Sequence, residues 1–416
     1  MEELSELVKS RGISPSEGAG RHVLMIQDTS ELNYNHLNGL LKVNDPDIGP
    51  ISDNSSTGIF LHPCLAVDAE NRQVYGISSI QVWNRSFTGL NKTERNYNKL
   101  PIENKESNKW LVAARESKEW LARGNRITLV GDRENDIYEY LCEVPDERTD
   151  ILVRSSIDRK LSCGQLLSEK LVSEPWQWSF ELDIAGSKKR TSRKAKMRVK
   201  WTTVQIARSA HKDQARYPEQ VEVSVVEVLE EHQTVPKGEE AVHWRLLTTH
   251  PVTQLSQAMT IVEWYKQRWW VEDFFRILKQ QGLEVERSQL STGASLKKLV
   301  VMCLDQALKV LAMRQERLGQ SKCSAAVCFE QEEIELLKVL HSEQHTGRKH
   351  NNPYEPESLA WATWIIAVLA GWTPTDLTKR PPGVITLSRG LKAFNQRYLG
   401  WATAMKLFQQ KSKSSP

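Results

Sequence analysis

The stretch Arg21–Ser30, RHVLMIQDTS, sets an apolar, strand-forming run directly against a carboxylate, Asp28, with polar residues after it that suit a loop or a helix cap. A second stretch, Arg126–Leu141, RITLVGDRENDIYEYL, repeats the arrangement: it begins as a buried strand, breaks at Gly131-Asp132 and continues at helical spacing. Both aspartates therefore stand at the same kind of strand end. If the two strands pair in parallel, the carboxylates become neighbours, and unpaired neighbouring carboxylates repel one another, so such clusters usually bind divalent cations.

Working outward, residues 58–83, GIFLHPCLAVDAENRQVYGISSIQVW, break between Asp68 and Asn71 and predict a hairpin. Residues 108–124, NKWLVAARESKEWLARG, predict a helix with Gly124 as its stop, and residues 150–156, DILVRSS, predict another strand. The order is strand, hairpin, helix, strand, helix, strand. From about Ser155 to Thr249 short alternating strands with polar loops dominate, which points to a β-rich insertion. From Gln254 to about Arg317 the spacing is helical, and the remainder is a helical region interrupted by GRKHNNPYEPES and KRPPG.

Residues 265–279, YKQRWWVEDFFRILK, predict one amphipathic helix. At about 100° per residue, Tyr265, Arg268, Glu272 and Lys279 fall within an arc of about 60°. Trp270, Val271, Phe274, Ile277 and Leu278 lie opposite and would dock the helix on a core. Glu272 would add a third carboxylate to Asp28 and Asp132, completing an oxygen-ligand site suited to Mg²⁺ or Mn²⁺. The competing explanation is a solvated face with incidental charge pairs.

The 416 residues exceed one ordinary single-core domain, so two or three structural units are expected. With 39% hydrophobic and 26% charged residues the chain is globular, and a net charge of +4 permits a nucleic-acid partner without requiring one. The six cysteines form no CxxC pair, which points to free thiols in a reducing, cytoplasmic compartment. No signal peptide is visible at the start, and LAWATWIIAVLAGW, residues 359–372, is expected to be a bundle helix, with no membrane partner.

The spacing Tyr-x2-Arg-x3-Glu-x6-Lys at Tyr265, Arg268, Glu272 and Lys279, together with IQDTSEL around Asp28 and GDRENDIYEYL around Asp132, resembles the bacterial DDE transposases of the insertion-sequence-four family, the transposon-five type above all. The resemblance runs from about Val23 into the C-terminal helices. It implies an α/β, ribonuclease-H-like core, a mixed sheet flanked by helices, with a β-rich insertion and a helical C-terminal region. The expected division is a linker-like lead over residues 1–20, the first part of the core over 21–155, the insertion over 156–249, the helical second part of the core over 250–317, and a dimerisation region over 318–416.

By the same resemblance Asp28, Asp132 and Glu272 would be catalytic and would hold two Mg²⁺ or Mn²⁺ ions for phosphodiester hydrolysis and strand transfer. The partners would be double-stranded DNA, as transposon ends and target, and a second copy of the chain when DNA is bound. The setting is a DNA-associated protein of the bacterial cytoplasm. Arg268 and Lys279 would contact phosphate near the cleaved bond, Tyr265 would add a hydrogen bond, and Arg276 and Arg154 would extend the DNA track; the four basic residues are open to the plainer role of surface cations. Trp244 matches an aromatic residue on which relatives stack an extruded base, with a core tryptophan as the competitor among the chain's 14.

The densest charge is SKKRTSRKAKMRVKW, residues 187–201, with no acid between Ile184 and Lys200. As a strand it would alternate Lys194, Lys196, Arg198 and Lys200 onto one face, a basic ribbon for the DNA backbone. Glu134, Asp136 and Asp273 do not match the family's metal-ligand places and are expected to be supporting or solvent-facing acids. His341, His345 and His350 lack the partners of a zinc site, and the glycines of GISPSEGAG, residues 12–20, lack a phosphate-loop lysine and suit a linker. Family members carry an N-terminal domain that recognises transposon ends, and only 27 residues precede Asp28, so that module is expected to be missing. A ribonuclease-H-like nuclease without strand transfer, or a truncated subunit that pairs with and inhibits a complete transposase, are the alternatives.

Overall fold

The run HVLMIQ forms strand β1 (His22–Gln27), which alternates its side chains between two cores: Val23 and Met25 enter one, Leu24 and Ile26 the other. A strand buried on both faces explains why the run carries no period of polar residues. The computed structural model describes residues 1–10, 20–42, 45–52, 55–87, 100–120, 126–186, 190–321, 323–345, 351–373 and 380–413.

Two further short strands, β2 (Ser30–Asn33) and β3 (Gly49–Pro50), pair with the start of β4 (Thr57–Asp68). β4 and β5 (Val74–Trp83) form the expected antiparallel hairpin. Its turn is built on Asp68, whose Oδ1 accepts from the Glu70 and Asn71 amides, both at 2.9 Å, while Arg21 grips the carboxylate from outside. Helix α2 (Asn108–Trp120) then leads to β6 (Arg126–Gly131), and α3 (Tyr138–Glu143) leads to β7 (Thr149–Arg154). The expected stop at Gly124 lies outside the described residues.

β1 pairs in parallel with β6, β6 in parallel with β7, and β1 antiparallel with β4. The local order is thus β5-β4-β1-β6-β7. Beyond it, after α4 (Leu167–Ser173), come β8 (Trp178–Ile184), β9 (Arg193–Ala207), β10 (Gln220–Glu230) and β11 (His243–Thr248). β11 pairs antiparallel with β7, and β10, β9 and β8 follow outward, giving one mixed sheet of 11 strands among the described residues. The β-rich residues therefore extend the main sheet, because the free edge of β7 offers unpaired backbone groups that β11 satisfies.

Helices cover both faces of this sheet. One core takes side chains from α2, α3 and α4. The other takes them from α1 (Glu2–Ser10), α5 (Leu255–Lys266), α6 (Trp269–Lys279), α7 (Gly293–Glu316), α8 (Gln331–His345), α9 (Leu359–Leu369) and α10 (Val384–Lys413). Residues 2–10 are thus a helix that buries Val8 and packs on α7 and β5, not a linker, while the Gly-rich residues 11–19 lie outside the described residues. α9 is buried along its length and lies so close to α10 that a Cβ on Gly390 would stand 2.0 Å from the Ile366 carbonyl oxygen. Among the described residues no helix is long and apolar enough to cross a membrane.

The predicted single helix over residues 265–279 is broken. α5 ends at Lys266 and α6 starts at Trp269, and between them the Gln267, Arg268, Trp270 and Val271 amides bond to carbonyls three residues back rather than four. The tight turn keeps helical backbone angles at Gln267 and Arg268 but separates Tyr265 from the helix that carries Glu272 and Lys279.

Candidate active site

The parallel register of β1 and β6 runs from His22 opposite Arg126 to Ile26 opposite Val130, and its continuation sets Asp28 beside Asp132. Each carboxylate is fixed by the chain just after it. Asp28 Oδ1 accepts from the Thr29 amide at 2.7 Å, and Asp132 Oδ1 accepts from the Glu134 amide at 2.8 Å, capping a single turn of 3₁₀ helix. That turn closes tightly over Gly131, where a Cβ would stand 2.4 Å from the Asn135 side-chain nitrogen. Burial first, and then the charge of Asp132, push the Asp28 carboxyl up to about 7, against the pull of Arg268 and the Thr29 amide. Burial also raises Asp132, opposed by the Glu134 amide and by the charges of Arg268 and Lys109.

The turn between α5 and α6 delivers Arg268 to these acids. Its Nη1 lies 3.1 Å from Asp28 Oδ2 and its Nη2 lies 2.6 Å from Glu272 Oε1, so one guanidinium bridges a strand-end acid and a helix acid 244 positions later in the chain. α6 is held for this by Val271, Phe274, Ile277 and Leu278, all fully buried. Among the described residues no group of three or more His, Cys, Asp and Glu side chains is gathered closely enough to hold a metal ion. The Arg268 guanidinium stands between Asp28 and Glu272 and binds both. By donor chemistry the acids suit a hard divalent ion: all offer carboxylate oxygen, and Asp28 and Glu272 already converge on one guanidinium whose charge also acts on Asp132.

The remaining residues of the expected phosphate face divide into inner and outer groups. Tyr265 is buried and meets Trp244 edge to face at 5.3 Å between ring centroids. Trp244 is itself half-buried on β11 against the helix-side core. Arg154, at the end of β7, donates from Nη2 to the His243 carbonyl at 2.7 Å, and burial holds its guanidinium below the usual range. Lys279 is half-buried with Glu286 at 3.8 Å, and desolvation lowers its ammonium. Arg276 is exposed and bonded to Asp273, which also binds Arg314.

The basic ribbon on β9 requires correction. Lys194 and Lys196 are exposed, but Lys200 is only 4% exposed, with its ammonium on the Leu171 carbonyl, 3.2 Å from Glu227 and 4.4 Å from the Trp176 ring centre. Arg198 is half-buried over the same ring. The acids absent from the local sequence come from neighbouring strands: Asp183 pairs across from Lys194, Glu181 from Lys196, and Glu231 lies 3.3 Å from the Lys196 ammonium. Residues 187–189 of the basic stretch lie outside the described residues.

The acids set aside on sequence have structural partners. Asp136 is buried, its Oδ1 accepting from Arg159 Nε at 2.7 Å and Nη2 at 2.5 Å, and Glu134 is exposed 3.2 Å from Lys109. His341 packs edge to face on Trp361, and His350 lies outside the described residues. Two residues near the acids escaped the sequence reading. Lys109 lies over the Trp83 and Trp110 rings and acts on Asp132. His62 is fully buried behind Asp28, and the signal for it was a lone imidazole inside an otherwise apolar strand.

A family model described as the transposase DDE domain matches residues 108–304. The span runs from the start of α2 into α7 and includes Asp132 and Glu272, while Asp28 precedes it. Over this span the chain is similar to the DDE domain of transposases. Among solved structures, one titled "Cryo-EM structure of piggyBac transposase synaptic complex with hairpin DNA" aligns with 73% of this chain and 49% of its own at 11% identity and a TM-score of 0.33. The present chain thus spans about half the length of that protein.

Proposed function

We propose that the chain is a transposase of the insertion-sequence-four family, of the transposon-five type, that cleaves double-stranded DNA at transposon ends and joins the freed 3′-hydroxyl to target DNA by transesterification. One observation carries this: the parallel register of β1 and β6 that seats Asp28 beside Asp132, with Glu272 tied to Asp28 through Arg268. The order β5-β4-β1-β6-β7, with its antiparallel hairpin and three parallel strands, supports a ribonuclease-H-like core over residues 21–155 and 250–317. The strands of 156–249 are its β-rich extension, and the helices of 318–416 are the proposed dimerisation region.

Asp28, Asp132 and Glu272 would hold Mg²⁺ or Mn²⁺, two ions in all. When bound, the ions would supply Lewis acidity at the attacked phosphate and favour deprotonation of the attacking water or 3′-hydroxyl. The protein's own work is positioning. β1, β6 and α6 bring Asp132 and Glu272 from distant parts of the chain near enough to Asp28 to act on its charge, and their rigid support would leave little reorganisation for the reaction itself. Arg268, bonded to Asp28 and Glu272, and Lys279, half-buried near Glu286, would contact phosphate, and Arg154 and Arg276 would extend the backbone track. Tyr265, buried between Trp244 and the arginines, would orient these groups. Trp244 would stack an extruded base during hairpin formation, while Lys194 and Lys196 would contact more distant phosphates. The protein would work as a homodimer on DNA in the bacterial cytoplasm.

The test uses end-labelled transposon-end duplex with Mg²⁺ or Mn²⁺, scored for nicking and for joining. Glu272→Gln and Asp132→Asn should abolish both steps while metal-free DNA binding persists. Nicking by either variant at the wild-type rate would remove these acids from the site. Cleavage by the wild type without joining would reassign the chain to hydrolysis alone.

A further inference from the structure

Behind Asp28 runs a buried chain of hydrogen bonds that the proposed chemistry does not use. Thr29 Oγ1 lies 2.9 Å from His62 Nδ1, His62 Nε2 lies 3.2 Å from Gln27 Oε1, and Gln27 Nε2 donates to the Tyr140 hydroxyl at 2.7 Å. Gln27, His62 and Tyr140 are all fully buried. The chain therefore joins the end of β1, which carries Asp28, through β4 to α3, the helix that follows the Asp132 turn.

The donors and acceptors can be assigned in sequence. Gln27 spends its amide nitrogen on Tyr140, so its oxygen faces His62 and must accept. His62 Nε2 accordingly carries the proton, Nδ1 is the acceptor, and the Thr29 hydroxyl donates to it. The Trp110 ring, edge on at 4.7 Å, leaves the imidazole little freedom to turn. Thr29 is the joint between this chain and the site: its hydroxyl binds His62 while its own amide holds Asp28 Oδ1 at 2.7 Å.

We infer that His62 is a positioning residue for Asp28, acting through the Thr29 hydroxyl to aim the carboxylate that binds the divalent ion. The inference rests on Asp28 being a metal ligand, as proposed above. Groups one step behind a metal ligand set its direction, and their loss typically costs about 10–100-fold in metal affinity or activity. Thr29→Val removes the hydroxyl but keeps the shape and the amide. His62→Phe removes both ring nitrogens, whereas His62→Gln restores a donor toward Gln27 and an acceptor toward Thr29.

Mn²⁺ affinity of the full chain, followed by electron paramagnetic resonance without DNA, is the readout, with metal-free DNA affinity and melting temperature measured alongside. Thr29→Val and His62→Phe should each weaken Mn²⁺ binding by about 10-fold, the double variant by no more than either single one, and His62→Gln should recover most of the loss. Metal-free DNA affinity should stay within about twofold. If Asp28→Asn abolishes Mn²⁺ binding while folded Thr29→Val binds Mn²⁺ as the wild type does, the positioning role is overturned and the site stands. If Asp28→Asn itself leaves Mn²⁺ binding unchanged, the site assignment falls and this inference with it. Thr29→Val decides the matter even if His62→Phe does not fold.

Discussion

Asp28, half-buried just past the end of β1, and Glu227, buried on β10, are carboxylates whose surroundings drive them in opposite directions. Burial alone would raise Glu227, but it is overcome by His243 Nε2 at 2.8 Å, Arg245 Nε at 2.9 Å and Lys200 Nζ at 3.2 Å, which bring its carboxyl down to about 2. Asp28 has a second acid beside it and shares its one arginine with Glu272, and it rises to about 7. The difference separates two uses of a buried charge. Glu227 is satisfied and ties β9, β10 and β11 together, whereas Asp28 has Asp132 beside it and divides one guanidinium with Glu272.

The largest expected contrast is in stability. Glu227→Ala strands the Lys200 ammonium in the sheet extension and should cost about 3–5 kcal/mol. Asp28→Asn relieves repulsion and should leave metal-free stability unchanged or higher. Urea unfolding of both variants measures this, and a large loss in Asp28→Asn with little in Glu227→Ala would invert the comparison.

The pH dependence should follow the same division. Glu227 has a depressed carboxyl, so its contribution is fully present above the unfolded value near 4.5 and is lost as pH falls toward about 2. Asp28 has a raised carboxyl: between its unfolded value near 3.8 and about 7 the folded state binds the extra proton, so its contribution to metal-free stability declines as pH rises through that window. Melting temperatures taken from pH 3 to pH 8, on the order of one scan per pH unit, should show a decline above pH 4 that Asp28→Asn flattens. An identical slope in that variant would assign the dependence to other groups.

Smaller effects are expected for the cations proposed to meet phosphate. Lys279→Ala should weaken duplex binding and reduce the slope of log affinity against log salt by about 1. An unchanged slope would mean that its ammonium serves Glu286 alone. Replacing Lys194 and Lys196 together by Gln should have the least effect on binding, because Asp183, Glu181 and Glu231 already offset them. A loss equal to that of Lys279→Ala would show that β9 is a main DNA contact.

What could be read from the chain alone was whatever depends on neighbours in sequence. The strand, hairpin, helix, strand, helix, strand order follows from runs of apolar residues and their breaks, and Asp28 and Asp132 stand out because each interrupts such a run. The parallel register that makes them neighbours was a condition in the sequence and a fact only in the sheet. Periodicity extended one helix through Tyr265 to Lys279 because Gln267 and Arg268 are good helix formers, and nothing local announced that packing would tighten the turn there. It also read Lys200 as one more member of a basic face, since strand alternation specifies a side and not what covers it; Trp176, Glu227 and the end of α4 decided that Lys200 is interior.

The same reason accounts for Arg268 and His62. Spacing placed Arg268 on one face with Glu272, but its bond to Asp28 joins residues 240 positions apart, and His62 meets Thr29 only because β4 lies against β1. Local spacing singled out the residues proposed to carry the chemistry; long-range strand pairing and helix docking determined which of those charges are satisfied and which are shared.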